Sequence, residues 1–162
     1  MSAVRAGGRA DVAGCVALWV AAVTARDGAI ADPQALAARI TTKFDQPLVR
    51  FALVDAESGD PAEPFAGFAL TVDRTTEGAR VAFLDLLAAH PAAAGRGLGR
   101  MLLRDAIEQS RRQGFPTLEL QVRDGNERAL ALYRSAGFRP TGESEPHPLG
   151  GAPMLTYRLG LA

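Results

Sequence analysis

The chain has 162 residues, enough for one domain with a hydrophobic core but too few for two domains of ordinary size. Apolar residues make up 48% of it and charged residues 22%, a composition that excludes a disordered protein. Because 18 basic side chains balance 18 acidic ones, the net charge gives no reason to expect a nucleic-acid partner. We expect a single domain over residues 1–162.

The cysteine and histidine content limits which disulfides and metal sites the chain can form. One cysteine cannot form an internal disulfide, and two histidines do not make a metal cluster, so we expect no metal. No apolar run approaches the roughly 18 residues of a membrane helix. The first residues also lack the apolar stretch of a signal peptide. We therefore expect a cytoplasmic protein with no membrane partner.

The first half of the chain is predicted to contain two helices and four strands. Asp32 is a favoured N-cap and Pro33 fits the first helical position, where a missing N–H costs nothing. The fourth strand is almost entirely apolar, which is typical of a strand buried on both faces. We expect a strand over Val4–Ala6, helices over residues 11–25 and 33–44, and strands over Leu48–Asp55, Phe65–Asp73 and residues 80–89.

The second half alternates helices and strands. Leu118, Leu120 and Val122 alternate with Glu119 and Gln121, which indicates a strand with one buried face. We expect a loop over residues 90–99, a helix from residue 98 to residue 114, a strand over Thr117–Arg123, a helix over residues 126–136, and strands over residues 138–143 and 154–159. This order predicts a mixed sheet with helices on both faces.

A glycine-rich segment joins the fourth strand to the next helix. Gly95, Gly97 and Gly99 alternate there. Glycine lets a backbone approach an anion closely, and a helix N-terminus offers unpaired N–H groups, so the segment suits a pyrophosphate. The alternative is a strand-to-helix turn that merely needs glycine. Neither the dinucleotide pattern G-x-G-x-x-G/A nor the Gly-Lys-Ser/Thr of a P-loop is present.

Two motifs in order resemble those of the GCN5-related N-acetyltransferases. Their cofactor loop, Q/R-x-x-G-x-G/A, is similar to the segment around Gly97 and Gly99. Their second motif, N-x-x-A-x-x-L/Y-Y-x-x-x-G-F, is similar to residues 126–138, with Asn126, Ala129, Tyr133, Gly137 and Phe138 in the matching places. The resemblance covers nearly the whole chain.

The resemblance implies a fold and an activity. The fold would be α/β (mixed α+β) in one domain, with a central, twisted, mostly antiparallel sheet of about six or seven strands and about four helices on both faces. The activity would be transfer of an acetyl group from acetyl-CoA directly to a primary amine of a small molecule or peptide, without an acyl-enzyme. The alternative is a catalytically inactive domain of the same fold that acts as a CoA-binding sensor or interaction module. A homodimer is possible within such a family.

The resemblance also implies which residues bind the cofactor. They are the loop residues Gly95, Arg96, Gly97, Leu98, Gly99 and Arg100, together with Asn126 and, through backbone pairing with the pantetheine arm, Leu87, Ala88 and Ala89. Asn126 also suits a helix N-cap. One departure is Ala94, which stands where the family has Arg or Gln. Backbone N–H donors do not depend on that side chain, so we expect binding to persist.

Tyr133 stands where the resembled family places a general acid. A phenol can protonate the thiolate that leaves during acetyl transfer; the alternative is a core aromatic residue with a satisfied hydroxyl. The general base stays open. Gln121 occupies the place where members acting on protein N-termini often carry Glu, and an amide cannot accept the proton. Glu119 and Asp85 are candidate bases acting through a water, and an ordinary ion pair is the alternative for both.

Overall fold

A computed structural model describes residues 3–147 and 150–162; residues 1–2 and 148–149, which the domain prediction includes, lie outside the described part. Within it, seven strands and four helices follow one another along the chain. They are β1 (Val4–Ala6), α1 (Val12–Asp27), α2 (Pro33–Lys43), β2 (Leu48–Asp55), β3 (Phe65–Asp73), β4 (Val81–Ala89), α3 (Leu98–Arg112), β5 (Thr117–Arg123), α4 (Glu127–Ser135), β6 (Arg139–Glu145) and β7 (Met154–Gly160).

All seven strands form one sheet in the order β1-β2-β3-β4-β5-β7-β6. Every neighbouring pair is antiparallel except β4 and β5, which run parallel. The parallel pair requires a crossover connection, and α3 supplies it. The predicted mixed, mostly antiparallel sheet with four helices is therefore confirmed. The prediction of one domain over residues 1–162 stays a prediction.

The sheet carries a separate hydrophobic core on each face, because successive strand residues point to opposite sides. One core joins the sheet to α3 and α4; its buried members include Leu84, Leu102, Leu118, Leu130 and Tyr133. The other joins the sheet to α1 and α2; its buried members include Leu18, Ile40, Phe68, Phe83 and Leu86. We refer to these as the α3/α4 face and the α1/α2 face.

Local capping explains where the helices begin and end. The Asp32 carboxylate accepts a hydrogen bond from the amide of Ala35 at 3.0 Å, as predicted for the start of α2. Gly28 and Gly137 follow α1 and α4 with φ angles of 84° and 100°, which glycine adopts without strain. α1 reaches Asp27 rather than residue 25, because no helix-ending residue precedes Gly28.

Smaller differences from the predicted elements are local. The predicted loop over residues 90–99 contains a 3₁₀ turn at Pro91–Ala93, in which the Nδ1 atom of His90 accepts a hydrogen bond from the amide of Ala92. α3 ends at Arg112, two residues before Gly114. β6 runs over Arg139–Glu145 and so begins and ends later than the predicted strand over residues 138–143. Its pairing with β7 is irregular between Pro140 and Ser144. Among the described helices, none combines the length and apolar character needed to cross a membrane.

Candidate active site

The two parallel strands at the centre of the sheet separate before they end. β4 and β5 pair from Val81 and Thr117 as far as Leu84 and Leu120. Beyond that point β4 continues to Ala89 and β5 continues to Arg123 without pairing to one another. We call the space between residues 85–89 of β4 and 121–123 of β5 the interstrand opening. It lies at the carboxyl ends of both strands, where α3 and α4 begin.

A β-bulge on β4 marks the start of this opening. Leu86 pairs with Leu70 and Leu84 pairs with Thr71, so Asp85 is an extra residue without an opposite partner on β3. As a result Phe83 and Leu86 both pack on the α1/α2 face, although they are three residues apart. A bulge bends its strand and increases the local twist, which accounts for the separation of β4 from β5 immediately afterwards.

The backbone of β4 offers free hydrogen-bonding groups to the opening. The amide of His90 donates to the carbonyl of Ala66 on the β3 side at 2.7 Å, which sets the alternation of bonds between β3 and β4. By that alternation Ala88 bonds β3, whereas Leu87 and Ala89 direct their N–H and C=O groups to the opposite edge. Of the three residues expected to pair with a pantetheine arm, only Leu87 and Ala89 therefore face the opening.

The glycine loop presents a row of unused donors. Gly95 and Gly97 have φ angles of 83° and 76°, and Gly97 caps α3 without any side-chain hydrogen bond. Within the described residues, no acceptor takes the amides of Gly97, Leu98, Gly99 and Arg100. Four free N–H groups at the positive end of a helix dipole have the chemistry that suits an anion.

The two arginines of the loop lie on opposite sides of it. Both are exposed, as is Ala94. Arg100 and Arg104 line a cleft of about 250 Å³ between α3 and α4, beside Leu132 and Ser135. Arg96 instead lines a cleft of about 630 Å³ on the side of the turn between β2 and β3. Of Arg96 and Arg100, Arg100 is therefore the one on the α4 side of the free amides.

Tyr133 lies on α4, on the α3/α4 face, and is 9% exposed. Its ring packs edge-on against Phe138 with 6.0 Å between ring centres. Its hydroxyl has no hydrogen-bond partner among the described residues, and burial raises the pKa of Tyr133 to about 12. The phenol is thus protonated at every working pH. Asn126 caps the same helix, its side-chain oxygen accepting from the amide of Ala129 at 3.3 Å.

Both candidate bases are engaged by cations. Glu119 accepts from the guanidinium of Arg158, its opposite partner on β7, at 2.7 Å. Asp85, at the bulge, accepts from Lys43 and from Gln46, each at 2.8 Å, and its side chain is 5% exposed. Sequence reasoning could not find Arg158, because the pairing register that sets it opposite Glu119 is a tertiary feature. Across residues 3–147 and 150–162, no three metal-ligating side chains gather into a possible metal site.

Comparison with protein families agrees with this architecture. Residues 26–138 match the model of the Acetyltransferase (GNAT) family. The chain therefore belongs to the GNAT family of acetyltransferases, as the two motifs indicated. Members of this family are acyltransferases.

Individual relatives resemble the chain over different lengths. The N-alpha-acetyltransferase RimI of Mycobacterium tuberculosis is 42% identical over 69 residues, which is 42% of each protein, so the match spans less than half of that relative. A GCN5-related N-acetyltransferase from Kribbella flavida is 26% identical, with a TM-score of 0.76 over 99% of this chain and 98% of that one. The yncA protein of Salmonella typhimurium, solved with its cofactor acetyl-CoA, has a TM-score of 0.72 at 21% identity over 100% of this chain and 95% of that one.

Proposed function

We propose that this protein is an acetyl-CoA-dependent N-acetyltransferase that transfers the acetyl group directly to a primary amine of a small molecule or peptide. The observation that carries the proposal is the row of four unpaired amides, Gly97 to Arg100, which adjoins a strand edge with free backbone groups. A diphosphate needs the first feature, and an extended amide-containing arm needs the second. The cofactor of acetyl transfer contains both.

The proposed cofactor position follows from these two features. The pyrophosphate accepts hydrogen bonds from the loop amides, and the pantetheine arm lies along β4 as an added strand that bonds Leu87 and Ala89. The cleft lined by Arg100 and Arg104 offers two guanidinium groups to the phosphates beyond the loop. These groups replace the side chain that Ala94 lacks. Asn126 keeps its amide nitrogen available for a further cofactor contact, because only its oxygen caps α4.

The proposed reaction is a direct displacement. A neutral amine attacks the thioester carbonyl, a C–N bond forms, and the C–S bond breaks. The proton lost by the nitrogen goes to a base, and the departing thiolate takes the hydroxyl proton of Tyr133, which solvent later replaces. Burial that raises the pKa of Tyr133 also raises the basicity of a thiolate leaving into the same apolar surroundings. The two shifts have the same direction, so burial of Tyr133 does not by itself oppose this proton transfer.

Glu119 is the better candidate for the base. It lies on the same face of β5 as Gln121, which lines the opening, and it can accept a proton through one water. Asp85 is the first β4 residue of the opening, but its side chain is nearly enclosed and its hydrogen bonds tie β4 to the end of α2. We therefore assign the role of general base to Glu119 and a structural role to Asp85.

Relatives that act on amines support the proposal. The names of the similar proteins include an N-alpha-acetyltransferase and a ribosomal protein bS18 alanine N-acetyltransferase, the latter 48% identical over 52 residues, which is 32% of this chain and 35% of that relative. Those matched stretches contain less than half of either relative, so the acceptor of this protein is a separate question.

Two measurements on the full chain test the proposal. Calorimetric titration with CoA and acetyl-CoA detects cofactor binding, and thiol release across a panel of amines, with mass spectrometry of the products, detects transfer. We expect binding and an acetylated amine. Binding without transfer to any amine would favour the inactive sensor instead, and no binding would overturn the cofactor assignment.

A further inference from the structure

The connection between β4 and α3 joins the two halves of the proposed cofactor site. The free strand edge ends at Ala89 and the row of unpaired amides begins at Gly97, so residues 90–96 set the spacing between them. In the proposed position, one molecule of acetyl-CoA contacts both halves. Its affinity therefore depends on how firmly this connection holds the loop relative to the strand.

His90 attaches this connection to the sheet. Its amide donates to the carbonyl of Ala66 on β3 at 2.7 Å, and its carbonyl accepts a hydrogen bond from the amide of Ala93 at 2.8 Å. Within the part of the chain that the structure describes, the amides of residues 95 and 96 have no acceptor. Hydrogen bonds thus hold the connection at its first residue, whereas the stretch that leads into the loop is not tied in this way.

The imidazole ring of His90 closes the same turn. Its Nδ1 atom accepts a hydrogen bond from the amide of Ala92 at 3.1 Å. Because a backbone amide can only donate, Nδ1 carries no hydrogen, and the hydrogen of the neutral ring lies on Nε2. Nε2 lies 3.2 Å from the Oε1 atom of Glu63, which belongs to the turn between β2 and β3. A carboxylate in this place favours the tautomer that the bond to Ala92 requires.

The ring borders open space rather than the interior of a core. It lines the cleft of about 630 Å³ beside Glu63, Phe65 and Arg96, and its side chain is 16% exposed. Its orientation therefore depends on the hydrogen bond to Ala92 and on the contact with Glu63. Since both ring nitrogens are engaged by the protein, the ring acts on the cofactor site through the turn and not by direct contact.

We infer that His90 is a positioning residue for acetyl-CoA: its ring holds the turn that sets the loop amides at the spacing the cofactor needs from β4, and Glu63 holds the ring in the correct tautomer. This inference rests on the proposed function, from which it uses cofactor binding but not acetyl transfer. Without the ring, the amide of Ala92 loses its acceptor and the turn loosens. The loop amides stay at the start of α3, but a ligand that bridges loop and strand must then order the connection when it binds.

Calorimetric titration of the full chain with ADP and with acetyl-CoA tests the inference. ADP carries the diphosphate without the pantetheine arm, so it contacts the loop and not the strand edge. His90→Ala should weaken acetyl-CoA binding by about 10-fold, the worth of one lost hydrogen bond, and change ADP binding by less than about 2-fold. His90→Asn should restore acetyl-CoA affinity to within about 3-fold of the wild type, because an asparagine oxygen readily accepts from the amide two residues further on.

Glu63→Leu tests the carboxylate without changing the ring. It should weaken acetyl-CoA binding by roughly 3-fold, because the ring is then held on one side only. Glu77→Leu is the matched control, since Glu77 is an exposed residue of the turn between β3 and β4, at the other end of β4, and it should change nothing. Thermal melts show whether each variant is folded.

Nitrogen NMR of the histidine rings gives a readout that a change in stability does not move. The chain has two histidines, so the signals of His90 are those that disappear in His90→Asn. At pH 9, where histidine rings are neutral in general, Nδ1 of His90 should be the nitrogen without a hydrogen in the wild type.

The outcomes separate this inference from the proposed function. Wild-type acetyl-CoA affinity in a folded His90→Ala protein, an equal loss of ADP and acetyl-CoA affinity, or a hydrogen on Nδ1 in the wild type would overturn the inference and leave the cofactor assignment intact. Acetyl-CoA affinities in the expected order would support the inference even if no amine were acetylated. A wild-type protein that binds neither ADP nor acetyl-CoA would reject both.

Discussion

Leu84 of β4 and Leu120 of β5 form the last pair between two parallel strands that both continue beyond them. The residue after Leu84 is the bulged Asp85, whose carboxylate is held by Lys43 and Gln46. The bulge and its ion pair thus fix where the sheet opens. The free strand edge next to the glycine loop exists because pairing stops at this point.

The anion-binding loop can be tested by removing one donor. Gly97→Pro deletes an N–H group and cannot adopt a φ angle of 76°, so CoA affinity should fall by at least about 100-fold. Gly78→Pro is the control, since Gly78 also has a positive φ angle of 84° but lies in the turn before β4, at the other end of the strand. Calorimetry measures the CoA affinity of both variants, and thermal melts show whether each variant is folded. Unchanged affinity in a folded Gly97→Pro protein would remove the loop from the cofactor site.

Tyr133→Phe should lower kcat by roughly 10²- to 10⁴-fold, the usual worth of a positioned acid, with little change in the KM for acetyl-CoA. Its melting temperature should not fall, because the hydroxyl has no partner among the described residues. Tyr157→Phe gives the opposite pattern: it removes the hydroxyl that accepts from Arg134 at 3.1 Å and should cost about 1 kcal/mol of stability with kcat unchanged. Wild-type turnover by the Tyr133 variant would refute its role as the acid.

Alkaline pH provides an independent test of the burial of Tyr133. Its pKa in the folded chain is about 12, whereas an unfolded tyrosine ionises near 10. Between these values the unfolded state releases a proton that the folded state retains, so the free energy of unfolding falls as pH rises. Tyr133→Phe should abolish about 2 kcal/mol of the fall between pH 8 and pH 11.5. Urea melts at pH 8 and near pH 11.5 measure the free energy of unfolding of the wild type and of the variant. An identical pH dependence in the two proteins would contradict the shifted pKa of Tyr133.

The two candidate bases should respond differently to neutral substitution. Asp85→Asn leaves the ammonium group of Lys43 without its anion and should cost about 1–3 kcal/mol of stability, with turnover retained in the folded fraction. Glu119→Gln should instead lower kcat/KM most at low pH, where the amine depends on a base. Kinetics over a pH range, with melts of both variants, separate these effects. Full activity in Glu119→Gln would exclude that carboxylate as the base.

Much of the fold could be predicted because its signals are local. The Asp32-Pro33 start of α2 and the alternation of β5 each depend on adjacent residues. The two motifs likewise place the glycine loop and Tyr133 on consecutive strand-to-helix units. These features need no knowledge of strand pairing.

The remaining features of the site depend on tertiary contacts. β4 is too uniformly apolar for its alternation to reveal a bulge at Asp85, and the divergence from β5 follows from that bulge. The partner of Glu119 depends on the register of β7.

Amide hydrogen exchange with and without acetyl-CoA tests the central claim most directly, because it reads each backbone donor separately. In the free protein the amides of Leu87, Ala89 and Gly97 to Arg100 should exchange quickly, while the amide of Ala88, bonded to β3, is protected. Acetyl-CoA should slow Gly97 to Arg100 and at least one of Leu87 and Ala89 by about 10-fold or more, and leave the turn at Gly78 fast. Bound acetyl-CoA that leaves Leu87, Ala89 and the loop amides unprotected would contradict the proposed site.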